Sequence, residues 1–244
     1  MKSKLFVGFI SIIYLFIICI VFSILSININ SYDVINNDVS MIDIPNNNIT
    51  FNKKKIIDEY IDKYNNQDVV GEIKIINTDY KKAIMQSSDN NFYLNHLEDK
   101  TSSYMGSIYL DFRIDIDNDN KLLIFGHNSD TIDMPFKVLE NYYSKKYYDA
   151  YKYIQITTKN NIRLYEIYSV IVEIDDFSYM RTEFENNDDW YQHIKSFKNN
   201  SMYDTGVDID ATDNILILQT CSTHHDYKKY AKKYLLIVAK EIYN

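Results

Sequence analysis

The sequence predicts a mainly β domain, a closed or nearly closed barrel decorated by helices and preceded by one N-terminal transmembrane helix. Three observations carry this reading. Short apolar runs of strand length recur between Val69 and Lys240, amphipathic helices are inserted among them, and no regular strand-helix-strand rhythm of a parallel sheet accompanies them. The two most apolar runs, Asn214 to Thr220 and Tyr234 to Lys240, lie side by side in the chain, joined by a polar, lysine-rich connection. They read as neighbouring buried strands linked by a surface loop.

The chain divides into four stretches. Residues 1–4 carry Lys2 and Lys4; Leu5 to Leu25 is uncharged, with Ser11 and Ser23 as polar members. Roughly 20 residues suffice to cross the hydrocarbon layer. Ser23-Ile-Leu-Ser26 matches a cleavage site poorly, so the segment reads as a retained anchor. The two lysines place the N-terminus in the cytoplasm and the body outside the cell membrane. Residues 26–52, crowded with Asn, Asp and Ser, read as a linker, and 53–244 as one compact domain with a full core.

Within that domain, Lys54 to Tyr64 spaces Ile56, Ile57, Tyr60, Ile61 and Tyr64 as a helix closed by Asn65-Asn66. Val69 to Ile76 alternates as a strand, and Thr78 to Asp99 is looser. Gly106 to Phe112 and Lys121 to Phe125 read as strands, the latter ending in Gly126-His127-Asn128. Phe136 to Tyr148 reads as a short helix, Tyr151 to Thr157 and Arg163 to Ile174 as strands, and Phe184 to Lys198 as a second amphipathic helix. Ser201 to Gly206 is a turn.

Composition excludes some functions. A net charge of −8 with scattered lysines gives no basic face, so nucleic acid is not an expected partner. Asp115-Ile-Asp-Asn-Asp-Asn120 has alternate carboxylates but lacks the central glycine and distant glutamate of a calcium loop, and reads as a hydrophilic turn. Zinc would need a second cysteine or regularly spaced ligands. No metal or cofactor is expected.

Cys221 is the only cysteine outside the apolar N-terminal segment and has no partner for a disulfide. Its position where a core strand gives way to a loop favours a reactive thiol, because rigid scaffolds present nucleophiles at strand ends. A thiol near neutral pH is mostly protonated and needs a histidine or a cation beside it. His127 follows a buried strand and a glycine, an address like that of Cys221; a loop histidine satisfied by its neighbours is the alternative. His224 and His225 could reach back to Cys221 through a helical turn, whereas His96 and His193 have no evident partner in the sequence.

Gly106-Ser-Ile-Tyr-Leu-Asp-Phe-Arg113, Ile124-Phe-Gly-His127-Asn, Leu216-Ile-Leu-Gln-Thr-Cys221 and Leu235-Leu-Ile-Val-Ala-Lys240 resemble, in order and spacing, the successive motifs of the class B sortases. Asp68 to Gly71, Asn90 to Leu94 and the helix after Phe184 stand where that class has its entry motif, substrate-side segment and inserted helix. The resemblance implies an eight-stranded sortase-type barrel and a membrane-anchored cysteine transpeptidase. Its partners would be a surface-protein sorting peptide, cleaved at a threonine, and a cell-wall precursor amine. Cys221 would be the nucleophile, His127 the acid and base, and Asn90, Leu94, Tyr179, Met180 and Gln219 would line the substrate groove. The family arginine that holds the oxyanion falls on Tyr234, with Lys233 beside it as a possible cationic substitute; a hydrolytic cysteine peptidase and a degenerate peptide-binding module are the alternatives.

Overall fold

The structure, a computed structural model, describes residues 49–174 and 177–243. The membrane span expected over 5–25 and nearly all of the expected linker lie outside the described residues. Among the described residues no helix is long and apolar enough to cross a membrane.

Helix α1 (Ile49–Tyr64) starts four residues inside the stretch read as linker and buries Ile57 and Ile61. Eight strands follow: β1 (Val69–Ile75), β2 (Lys81–Met85), β3 (Tyr109–Leu110), β4 (Lys121–Phe125), β5 (Tyr153–Thr157), β6 (Ile162–Ile174), β7 (Ile215–Cys221) and β8 (Lys233–Tyr243). They close into a barrel in the order β1-β2-β3-β4-β7-β8-β6-β5, with β1 and β5 completing the circle.

The run Lys121-Leu-Leu-Ile-Phe125 is buried at every position, as expected of a strand covered on both faces. It pairs in parallel with β7, Leu122 beside Leu216 and Phe125 beside Gln219. A parallel pair needs a long crossover. Here the crossover contains β5, β6 and a helix α3 (Asn187–Asn199). The Asn186 side chain caps α3 by accepting from the Asp188 and Asp189 amides, and Trp190, His193, Ile194 and Phe197 give it a buried face.

Three expectations need correction. The loose stretch after Thr78 contains β2, whose Lys-Lys-Ala-Ile-Met pattern has two exposed lysines and then three buried residues. That pattern has neither strand alternation nor a long apolar run. The strand expected over Gly106 to Phe112 is only two residues long. Gly106 has φ +59°, and Ser107 turns its amide to the Tyr93 carbonyl and its hydroxyl to the His96 carbonyl, away from the sheet. The helix expected over Phe136 to Tyr148 is a 3-10 stretch, Lys137–Tyr143, followed by α2 (Lys145–Ala150), broken at Ser144 where the backbone is extended.

The Asp115–Asn120 loop is a turn in which Asp115 and Asp119 serve its own backbone, while Asp117 accepts from the Thr158, Asn160 and Asn161 side chains of the turn between β5 and β6. Asp115 accepts from the Asp117 amide at 2.9 Å, and Asp119 accepts from the Asp115 amide at 2.8 Å. A buried ion pair fastens β6 to the end of β8. Arg163, 2 % exposed, grips Glu241 with two bonds of 2.9 Å.

Candidate active site

The topology puts the ends of β4 and β7, the start of β8 and the end of β6 at one rim of the barrel. His127 lies two residues beyond β4, and Cys221 ends β7. Since Phe125 is level with Gln219, the parallel register carries His127 level with Cys221. Three bonds hold the two chain ends together: Gly126 N–H to the Gln219 carbonyl at 3.1 Å, the Thr220 hydroxyl to the Gly126 carbonyl at 2.7 Å, and the Asn128 amide to the Cys221 carbonyl at 3.0 Å. Gly126 lets the buried Phe136 ring pack against the end of β4, because a Cβ there would come within 2.6 Å of that ring.

Both residues open into one cleft of about 300 Å³, lined also by Asn90, Leu94, Gln219, Tyr179, Met180 and Tyr234. All of the sequence-derived candidates except Lys233 therefore meet in one place. Sequence reasoning missed Tyr109, Phe125 and Phe177, which complete an aromatic wall. Their strand or loop positions marked them as core or surface, and only the barrel's curvature brings them to this rim.

His127 Nε2 lies 2.8 Å from the Leu94 carbonyl. A carbonyl can only accept, so Nε2 carries a proton and Nδ1 is the nitrogen left to exchange one. Gly106 shapes this contact: a Cβ there would sit 2.7 Å from the Tyr93 and Leu94 carbonyl oxygens and 3.0 Å from the imidazole. Among the described residues no hydrogen bond joins the Cys221 thiol to the imidazole. The thiol reaches solvent, but the apolar lining around it desolvates the thiolate and pushes its pKa up; the Lys233 charge acts in the opposite direction.

Tyr234 and Lys233 are resolved by register. Cys221 lies opposite Tyr234 with no irregularity between β7 and β8. The Ser222 amide bonds the Lys233 carbonyl, so Ser222 and Lys233 form a hydrogen-bonded pair, and Cys221 and Tyr234 the non-bonded pair whose side chains stand closest. Tyr234 thus faces the cleft, against Phe177 and Tyr179 at 5.9 and 6.3 Å. Lys233 projects from the other face and donates to the Tyr230 carbonyl at 3.2 Å. No arginine takes the vacant role, because Arg113, Arg163 and Arg181 are engaged by Asp111, Glu241 and Asp189.

The other histidines lie outside the cleft. His96 stacks on Phe92 at 4.1 Å, and His193 is buried 3.0 Å from Lys121 Nζ. Both have partners that the sequence did not reveal. His224 packs edge-on against Tyr143 and stacks on His225. With Asp226 they bring three potential ligand atoms within 4.8 Å, all on one turn, where His225 Nε2 already lies 2.9 Å from an Asp226 carboxylate oxygen.

No protein-family profile matches the chain. Curated relatives do. It is 31 % identical over 178 residues to sortase B of Staphylococcus aureus, covering 72 % of this chain and 71 % of that protein. It is 33 % identical over 169 residues to sortase B of Listeria monocytogenes, covering 67 % of each. Among solved structures, a Staphylococcus aureus sortase B–substrate complex superposes with a TM-score of 0.68 and 28 % identity, over 78 % of this chain and 85 % of that one. A sortase B complexed with triglycine gives the same score and identity over 78 % and 92 %. With relatives this similar over two thirds or more of their length, the chain belongs to the class B sortases, a family of cysteine transpeptidases.

Proposed function

We propose that this protein is held in the cell membrane by residues 5–25, with its barrel outside the cell, and that it cleaves a C-terminal sorting motif of surface proteins at a threonine. It then transfers the acyl group to a cell-wall amine. The observation that carries the reading is the level placement of Cys221 and His127 over a cleft otherwise lined by aromatic and apolar side chains. A substrate complex and a triglycine complex among the structural neighbours support a peptide donor and an amine acceptor.

In the acylation step the Cys221 thiol gives its proton to His127 Nδ1 as its sulfur forms a bond to the threonine carbonyl carbon, and the carbon–nitrogen bond of the scissile amide then breaks. His127, through Nδ1, gives a proton to the departing amine. The imidazole, now neutral, takes a proton from the incoming amine as its nitrogen attacks the thioester, and the thiolate leaves. Tyr234 supplies a neutral hydrogen-bond donor where the family uses a permanent cation.

The experiment is mass spectrometry of the full-length chain incubated with candidate sorting peptides, with and without a small amine nucleophile. The expected results are a thioacyl adduct on Cys221 and amine-dependent product, both abolished in Cys221→Ala. Cleavage that persists in Cys221→Ala would sink the proposal. Product that is hydrolysed even with amine present would make the protein a peptidase. Among the described residues no lysine or arginine lines the cleft, which favours a second reading as a peptide-binding module. Peptide binding without turnover, unchanged by Tyr234→Arg, would establish that reading instead.

A further inference from the structure

One wall of the cleft is the short turn Ser178–Met180, which contributes Tyr179 and Met180 to the lining. The Tyr179 side chain, 2 % exposed, packs the turn into the core, but the backbone bonds within the turn are few. Its internal bonds are Met180 N–H to the Phe177 carbonyl at 2.9 Å and Arg181 N–H to the Ser178 carbonyl at 3.1 Å. A single 3-10 turn of this kind is not stable alone.

Three successive carbonyls of this segment each accept from a cationic side chain. Lys121 Nζ donates to Tyr179 at 2.7 Å and to Arg181 at 2.6 Å. Arg113 Nη2 donates to Met180 between them at 2.9 Å. Lys121 is 5 % exposed, and its third contact is His193 Nε2 at 3.0 Å. Burying an ammonium is costly, so an apolar side chain would fill this space with a smaller penalty, but it could not bind two carbonyls.

The arrangement tolerates either charge state of the lysine. As an ammonium, Lys121 donates to both carbonyls and to neutral His193. As an amine, it keeps two donors for the carbonyls and accepts from the imidazole N–H. Desolvation pushes Lys121 down to about 7 and His193 down to about 3, and none of the three contacts depends on which form is present.

Arg113 joins this wall to another part of the lining. Its guanidinium is fixed on buried Asp111 by bonds of 2.9 and 2.7 Å. The second Asp111 oxygen also receives the Asn90 amide at 3.1 Å, and the Asn90 oxygen accepts from the Phe112 amide. Asn90 is itself a cleft residue. We infer that Lys121 and Arg113 are positioning residues: they clamp the 179–181 carbonyls and thereby set the spacing at which the cleft receives a peptide. The peptide part of this inference rests on the function proposed above; the clamp itself does not.

The test uses the full-length chain as wild type, Lys121→Met, Lys121→Arg and Arg113→Gln. Its readouts are amide hydrogen exchange, steady-state kinetics with a sorting peptide, and the rate at which a methanethiosulfonate reagent modifies Cys221. In Lys121→Met and Arg113→Gln the Met180 and Arg181 amides should exchange at least about 10-fold faster and KM should rise about 10-fold, the equivalent of 1.4 kcal/mol. Turnover and thiol modification should stay within about 2-fold of wild type. Lys121→Arg, which keeps a cationic donor, should recover part of both losses. Unchanged exchange and KM in both variants would overturn the inference. So would a parallel loss of turnover, thiol accessibility and β7–β8 protection, since these residues would then merely stabilise the barrel. If Lys121→Met does not fold, Arg113→Gln combined with Asp111→Asn decides, because the Arg113 side chain is 37 % exposed and the second change keeps buried Asp111 from being left as an unpaired carboxylate. If the wild type converts no peptide, the proposed function fails, and exchange at Met180 and Arg181 alone decides whether the clamp exists.

Discussion

Tyr234→Phe isolates one hydroxyl. The substitution keeps the ring and its neighbours Phe177 and Tyr179 at 5.9 and 6.3 Å, so packing around the cleft should hardly change. Burial, and after it the neighbouring Cys221, push the phenol pKa up. The group therefore stays a protonated donor throughout the neutral range. Opposite Cys221 in a non-hydrogen-bonded pair, with Cα atoms about 4.5 Å apart, it would stand beside the carbon attacked in the function proposed above. Removing one oxyanion donor typically costs about 100–1,000-fold in turnover, and a neutral donor is roughly half as strong as a charged one. The expected loss is therefore about 10–30-fold in kcat with little change in KM. Tyr234→Arg should raise kcat above wild type by about 10-fold or more, because a permanent bidentate cation replaces a single hydroxyl. The assay is amine-dependent transpeptidation of a sorting peptide, normalised to active thiol by titration. If Tyr234→Phe turns over within about 2-fold of wild type, the hydroxyl is not the oxyanion donor.

Three further outcomes follow from the geometry. Buried His193 is held neutral in the fold by desolvation first and then by the Lys121 charge, down to about 3. The unfolded chain takes up that proton near 6.5, so between those values it binds more protons and stability falls as pH falls, at about 1.4 kcal/mol per pH unit. His193→Gln, which keeps an acceptor for Lys121, should flatten this acid limb in urea titrations, and an unaltered limb would refute the assignment. Gly106→Ala introduces a Cβ 2.7 Å from the Leu94 carbonyl at a positive φ. It should cost about 1–3 kcal/mol and lower turnover by displacing the oxygen that orients His127, as read by thermal melting and kinetics. Arg163→Met strands Glu241, 6 % exposed, without its bidentate partner. The expected loss is about 3–5 kcal/mol in denaturant, largely recovered when Glu241 is also made Leu, and a loss under about 1 kcal/mol would refute it.

Much of the barrel was legible because its central strands are covered on both faces. Lys121 to Phe125, Ile215 to Thr220 and Leu235 to Ala239 could not be exposed without leaving long apolar runs in water, so their identity as core strands follows from composition alone. α3 was equally readable, since Trp190, Ile194 and Phe197 recur at helical spacing. The loss came where pairing partners define the element. Lys81 to Met85 is a strand only because β1 and β3 flank it, and Gly106 to Phe112 is mostly not one, because Ser107 bonds a loop instead of the sheet.

The chain by itself determined the thiol and the imidazole, each placed after a glycine or a polar residue at the end of a run that must be buried. Folding alone decided what surrounds them. Whether Tyr234 or Lys233 faces the sulfur depends on a one-residue phase in strand pairing, since neighbouring side chains on a strand point to opposite faces. Likewise, Lys121 finds His193 across 72 positions and the Tyr179 carbonyl across 58. Nothing in a local pattern specifies such contacts, because they arise only when barrel closure brings distant backbone and side-chain groups within bonding distance.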